Sequence, residues 1–172
     1  MKKYLVFFAF LMAGAISASA YDTTPLQIGI WPSRYQIVTE DINVSGLKIN
    51  LPFGGNDSVQ GVDLGLAATA KKISALQINI LVNRAHEEFT GLQFAIVNQS
   101  GNSNGVTLGG LNVTEDRTKG IQVGVINSSM ATRGLQIGLI NYTENMTGLQ
   151  IGIVNIITES VVPFFPIINF CF

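Results

Sequence analysis

The chain has 172 residues and a formal net charge of −1, with 47% hydrophobic and 12% charged residues. This near-balanced charge gives no indication of nucleic acid or an anionic surface as the main target. The single cysteine, Cys171, excludes an internal disulfide. The composition therefore favours an apolar fold without internal disulfide bonds, and it lacks the electrostatic signature of a nucleic-acid-binding protein.

The first twenty residues have the three parts of a secretory leader. Lys2 and Lys3 provide a basic start, an apolar run extends over residues 4–16, and small residues at 18–20 form a cleavage site before Tyr21. The apolar run is shorter than the ~20 residues that a membrane-spanning helix needs. We therefore predict a signal peptide at residues 1–20 and a single repetitive β domain at residues 21–172.

A short repeat dominates the remaining sequence. GLQIGLIN at Gly134–Asn141 recurs as GLQIGIVN at Gly148–Asn155 and as GIQVGVIN at Gly120–Asn127. Aligned copies, called units below, begin at Pro25, Gly46, Gly61, Ala75, Gly91, Gly105, Gly120, Gly134 and Gly148. Within a unit, apolar and polar residues alternate strictly, which predicts β-strands because successive side chains of a strand point to opposite faces.

The two faces of the predicted strands differ in kind. The second, fourth and sixth positions of a unit are aliphatic or aromatic, as in Leu135, Ile137 and Leu139, while the fifth is usually small. The third position is usually glutamine, and we predict a polar-face ladder from Gln77, Gln93, Gln122, Gln136 and Gln150. Two neighbouring units carry Lys48 and Asp63 at this position, where we expect them to pair as structural residues.

The segments between the units are short and polar, as in residues 127–133 and 141–147. Each begins with asparagine and ends before glycine, which is typical of turns. We therefore predict an all-β fold, an antiparallel meander of about nine or ten short repeat strands closed into a small β-barrel. An extra short strand is expected around Tyr35–Val38. The alternative is a β-solenoid, or stacked repeat sheet.

The two architectures predict opposite orientations of the aliphatic face. In a barrel this face meets lipid and the Gly/Gln face fills a narrow lumen, whereas in a water-soluble stack the aliphatic face points inward. The residues at the chain end favour the barrel, since Ile168, Phe170 and Phe172 alternate on one face. They resemble the terminal strand of outer-membrane barrels, so we predict an assembly signal there.

The chain also resembles a known family. The tandem GLQIGLIN units, the INLPFG segment at Ile49–Gly54, the stretch at Gln27–Val38 and the FFPIINF ending look like a bacterial family of surface-repeat proteins. The resemblance implies an exported or surface-associated protein. It implies no reaction and no site residues.

Residues that could carry catalysis are sparse. The single histidine, His86, lies beside Glu87 and Glu88 in a segment that we interpret as a solvated turn, and Cys171 has no histidine partner nearby in sequence. We therefore predict no catalytic residue, no metal ligand and no cofactor, and expect that the protein is not an enzyme.

These observations leave two classes of function. The first is a small outer-membrane or surface β-barrel with a structural, surface-interaction or narrow transport role, whose partners are outer-membrane lipid and the barrel-assembly machinery. The second is an exported β-solenoid that acts in adhesion or self-association. We expect an exported protein at the outer membrane or cell surface, or alternatively in the periplasm or secreted, with no nucleic-acid partner.

Overall fold

The structure, a computed structural model, describes residues 23–30, 35–36 and 38–172, and the predicted signal peptide lies outside these residues. The described strands are β1 (Thr23–Ile30), β2 (Tyr35–Gln36), β3 (Asn43–Val123), β4 (Ile126–Ile137), β5 (Ile140–Ile157) and β6 (Phe164–Cys171). They form one sheet in the order β2-β1-β3-β4-β5-β6. The prediction of an all-β fold is confirmed, and β2 lies where the extra short strand was expected.

The pairing of successive units differs from the antiparallel meander that we predicted. β1 pairs with β3, β3 with β4 and β4 with β5, and all three pairings are parallel. Like positions lie side by side, for example Gln122 beside Gln136 and Gln136 beside Gln150. An antiparallel arrangement would separate these equal positions, so it would lose the contacts between identical amide side chains. The described strands run from β2 to β6 and form no closed ring.

The chain instead stacks coil upon coil, which is the arrangement of the alternative β-solenoid. The 81-residue strand β3 winds through several coils. Its Gly61 lies against Gly46, and its Gly105 lies against Gly91. The polar segments predicted as turns are strands in this arrangement, since residues 127–133 lie in β4 and pair with residues 141–147 in β5. Each coil of 14 residues must bring the chain back to the position where the next unit begins. The polar segment makes this connection from the end of one unit to the start of the next.

The interior of the stack is lined by the polar face of the units. Every residue at the third position is buried, from Gln27 to Gln150, whereas no described residue at the second, fourth or sixth position is buried. The aliphatic face therefore points outward, as the barrel prediction required, although the pairing is that of a solenoid. Our expectation for a soluble stack, with aliphatic residues inside and glutamines outside, is wrong.

A hydrophobic cluster fills part of the interior at the N-terminal end of the stack. It includes Val44, Val59, Ile73 and Phe89, each two residues before the first residue of a unit. Farther along, the same position is occupied by Ser103, Thr118 and Thr132, which are also buried. At this position the core thus changes from apolar side chains to hydroxyl groups, and it becomes apolar again at Met146 in β5.

The last strand caps the stack in a different way. β6 pairs with β5 in the antiparallel direction, with Phe170 beside Leu149 and Ile168 beside Ile151. Asn169, between them, lies beside Gln150 and is buried. β6 therefore continues both faces of the last coil, the polar one inward and the aliphatic one outward.

Candidate functional site

The predicted glutamine ladder lies inside the stack. Gln150 Nε2 donates to Gln136 Oε1, and Gln136 Nε2 donates to Gln122 Oε1, both at 2.8 Å. In the earlier coils Gln93 Nε2 donates to Gln77 Oε1 at 3.2 Å. Thr107 interrupts the ladder between the two parts, and Gln93 Oε1 is left without a hydrogen-bond partner. The ladder rigidifies the interior and presents no group to solvent.

A second ladder is formed by asparagines, as expected for the alternative β-solenoid, in which residues that recur in phase stack on one another. Asn127 Nδ2 donates to Asn141 Oδ1, and Asn141 Nδ2 donates to Asn155 Oδ1, both at 2.8 Å. Each of these amides also donates to a main-chain carbonyl of the next coil, for example from Asn127 to Ile137 at 2.9 Å. The sequence pattern of the polar segments predicts turn residues at these positions. Their recurrence in phase with the repeat was the signal that indicated a ladder.

Lys48 and Asp63 form the expected pair in neighbouring coils. Lys48 Nζ lies 4.0 Å from Asp63 Oδ2, and both side chains are fully buried. Lys48 Nζ also donates to the carbonyls of Gly54 and Thr69, each at 3.3 Å, and Gln77 donates to Asp63 at 3.0 Å. Burial lowers the pKa of Lys48, while Asp63 and Glu40 act in the opposite direction. The pair replaces two rungs of the glutamine ladder and is structural.

The outward side of the units forms a continuous surface, which we call the apolar wall: the second, fourth and sixth positions of the units from Pro25 to Gly148. Its columns hold leucine, isoleucine, valine and phenylalanine, and several are more than half exposed, among them Leu51, Ile80, Ile96, Leu139 and Ile153. The charged residues of these units, Lys48 and Asp63, point inward and are fully buried. The apolar wall therefore presents no charge to solvent.

A shallow groove of about 690 Å³ crosses the apolar wall near its C-terminal end. Gly124, Gly138 and Gly152 form its floor, between columns of aliphatic side chains. A Cβ added at Gly138 would lie 2.7 Å from Asn127 Nδ2. The asparagine ladder beneath thus requires glycine here, and the groove follows from the packing of the interior.

The other sides of each coil carry the exposed charged residues. Two surface ion pairs lie there, Lys71 with Asp57 at 2.9 Å and Lys72 with Glu87 at 3.6 Å. Farther along, Arg117, Lys119 and Arg133 line one cleft of about 320 Å³. We call these three residues the basic rim, because Lys119 and Arg133 directly precede Gly120 and Gly134, where units of the apolar wall begin.

Comparison of the chain with family models, curated proteins and solved structures gives no match. The surfaces just described are therefore the basis for any functional assignment. Within the described ranges no helix is long and apolar enough to cross a membrane. The same ranges hold no group of three or more histidine, cysteine, aspartate or glutamate residues that could bind a metal ion.

The remaining residues that we considered in the sequence do not converge on a chemical site. His86 lies in β3 rather than in a turn, is exposed, and has Nε2 3.1 Å from Thr69 Oγ1. Cys171 is a partly exposed residue of β6. Ile168 and Phe170 are exposed on β6 and prolong the apolar wall, and Phe172 lies just beyond β6 with its side chain 92% exposed. Their role as an assembly signal stays a prediction.

Proposed function

We propose that this is an exported, non-catalytic protein of the bacterial cell envelope that lies on a lipid surface through its apolar wall. The observation that carries the proposal is that apolar and charged residues lie on separate sides of the outer surface. Aliphatic columns without outward charge occupy one side of every described coil, and the exposed charged residues occupy the others. A secretory leader predicted at residues 1–20 and the resemblance to surface-repeat proteins are consistent with this compartment.

The size of the apolar wall supports a docking role. Strands stack about 4.8 Å apart and rise about 3.3 Å per residue, so nine units give a wall roughly 40 Å long and 17 Å wide. The resulting area of roughly 700 Å² exceeds the ~300–600 Å² of the largest apolar patch on a typical monomeric protein. Such a patch, bordered by polar sides, is typical of a surface that is covered in the working state.

Lipid is the occupant that this geometry favours. Amphipathic elements that lie in a membrane interface combine one apolar face with a charged face, and basic residues at the border add attraction to the lipid headgroups. The apolar wall and the basic rim have this relationship. We do not propose the transport role, because the inward glutamines and asparagines are fully buried and bond to one another.

The expected result is that the full chain floats with neutral phosphatidylcholine vesicles in a density gradient, and that Leu139→Asp together with Ile153→Asp lowers the binding constant roughly 10- to 100-fold. The reason is that each of these aliphatic side chains, 52% and 66% exposed in the free protein, loses its burial in lipid. Far-UV circular dichroism verifies that the variant stays folded.

Met130→Asp is the matched control, since Met130 is 48% exposed but lies outside the apolar wall. This variant should float like the unmodified chain. The proposal is wrong if the unmodified chain stays at the bottom of the gradient, or if the wall variant and the control behave alike. A stable dimer that the wall variant disrupts, without flotation of the unmodified chain, would identify a second copy as the occupant instead.

A further inference from the structure

We propose that the basic rim, Arg117, Lys119 and Arg133, is a binding site for a phosphate group carried by an anionic lipid headgroup. This inference rests on the proposed function, because it names the lipid class that the apolar wall meets. The site itself is a cleft on the side of the stack, walled by the three cations together with Thr132, Asn145 and Thr147. It therefore combines positive charge with neutral hydrogen-bonding groups.

The pairing of the strands brings the cations together. β3 and β4 run in parallel with Lys119 beside Arg133 and Arg117 beside Ala131. Neighbouring strands lie about 4.8 Å apart, so Lys119 and Arg133 project side by side from adjacent coils. Like charges directly opposite each other on neighbouring strands destabilise a sheet. A bound anion between them would remove this repulsion.

Within the described ranges, no acidic side chain forms a salt bridge with the cluster. In the described part of the chain the salt bridges involve Lys48, Lys71 and Lys72, and none of them includes a residue of the basic rim. Glu88 lies in a neighbouring cleft with Arg117 and Lys119 but forms no salt bridge with either. Glu115 accepts a hydrogen bond from Gln99 at 2.8 Å, and Asp116, which directly precedes Arg117, forms no salt bridge with the basic rim. The three cations are thus available to an external anion.

The chemistry and the position of the cluster indicate the ligand. A guanidinium group matches two phosphate oxygens with parallel hydrogen bonds, and an ammonium group adds a compact charge. Lys119 and Arg133 stand at the border of the apolar wall, where a lipid whose chains meet that wall would place its headgroup. The buried ladders do not extend into this cleft, so the basic rim serves no role in the core.

The test compares the binding of the full chain to vesicles of phosphatidylcholine with binding to vesicles that also contain phosphatidylglycerol, at fixed ionic strength. We expect the anionic lipid to raise the binding constant about 10- to 100-fold, the effect of a few basic residues near a charged membrane. Replacement of all three cations, R117Q, K119Q and R133Q, should abolish that increase and leave binding to neutral vesicles unchanged. The control variant K71Q, K72Q and R84Q removes the same charge elsewhere and should retain the increase.

Three outcomes would overturn the inference. The first is no increase with phosphatidylglycerol, and the second is an equal loss in both triple variants, which would indicate unspecific attraction. The third comes from a separate arm with inorganic phosphate alone. Tight binding of free phosphate, monitored by ³¹P NMR and lost in R117Q/K119Q/R133Q, with no preference for anionic vesicles, would identify a soluble ligand. Failure of the docking proposal itself is distinguishable, because it appears as absent binding to neutral vesicles.

Discussion

The variant Gly134→Ala is expected to lose about 3–5 kcal/mol of the free energy of unfolding, a large fraction of the 5–15 kcal/mol that holds a typical domain together. Gly134 has a φ of 141°, a conformation that strains any residue with a side chain. An added Cβ would also overlap the carbonyl oxygen of Gly120 in the preceding coil. Backbone strain and overpacking each cost about 1–3 kcal/mol of stability, and both act at this position. Urea denaturation monitored by circular dichroism measures the effect.

Gly55→Ala is the matched control for this prediction. Gly55 is buried in the stack, but an added Cβ would lie 3.4 Å from the methyl group of Thr69, an ordinary van der Waals contact. Its φ lies outside the left-handed region. The control is expected to change the free energy of unfolding by less than about 1 kcal/mol. Equal effects of the two variants would contradict the stacking of Gly134 on Gly120.

The variant Gln136→Glu is expected to destabilise the fold by about 3–5 kcal/mol at neutral pH, because it places an unpaired charge in the buried ladder. Gln136 is fully buried, donates to Gln122 and accepts from Gln150. A carboxylate keeps the bond from Gln150 but faces Gln122 Oε1 without a proton. The substitution would be mild only if the polar face were wet, as in an open lumen.

Leu139→Asp provides the comparison in the same coil, since its side chain is 52% exposed on the apolar wall. In the absence of lipid, this variant should lower the free energy of unfolding by less than about 1 kcal/mol.

The loss of stability caused by Gln136→Glu should become smaller as the pH falls. Burial raises the pKa of the introduced carboxyl group above its value in the unfolded chain. As the pH falls, this group is therefore protonated in the folded state before it is protonated in the unfolded state, and the buried charge disappears. A mild effect of Gln136→Glu at neutral pH would contradict a dry ladder.

The features of the fold that could be predicted from the sequence are those that follow from the alternation of apolar and polar side chains. Period-two alternation indicates strands and separates an aliphatic from a polar face, but it carries no information on whether a neighbouring strand runs parallel or antiparallel. The polar segment of each coil is a strand, although its asparagine and the glycine that follows are typical of turns and therefore predict a turn. Val44, Val59, Ile73 and Phe89, each two residues before a unit, are the apolar core residues that this interpretation missed.

The candidate site was predictable only in part. The apolar wall follows from the aliphatic positions once their outward orientation is known, and that orientation depends on what fills the interior. Amide ladders can fill it because asparagine and glutamine both donate and accept, so stacked copies satisfy one another. The basic rim was hidden because Arg117, Lys119 and Arg133 are dispersed in the sequence and the net charge is close to zero. Only the parallel register brings Lys119 beside Arg133.

The distance between residues 14 positions apart tests the central claim most directly, because parallel stacking of successive coils fixes it. We propose spin labels on the double variant Leu135→Cys and Leu149→Cys, in a Cys171→Ser background. These two leucines are register partners in β4 and β5 and face outward. Their Cα atoms should lie about 5 Å apart, the spacing of neighbouring strands.

Parallel stacking predicts strong dipolar broadening of the continuous-wave spectrum for Leu135→Cys with Leu149→Cys, and much weaker broadening for Leu135→Cys with Ile153→Cys. An antiparallel meander predicts the reverse, since the second position of one unit would then face the sixth position of the next. Broadening in the Leu135/Ile153 variant without broadening in the Leu135/Leu149 variant would contradict the parallel stack and the continuous apolar wall built on it.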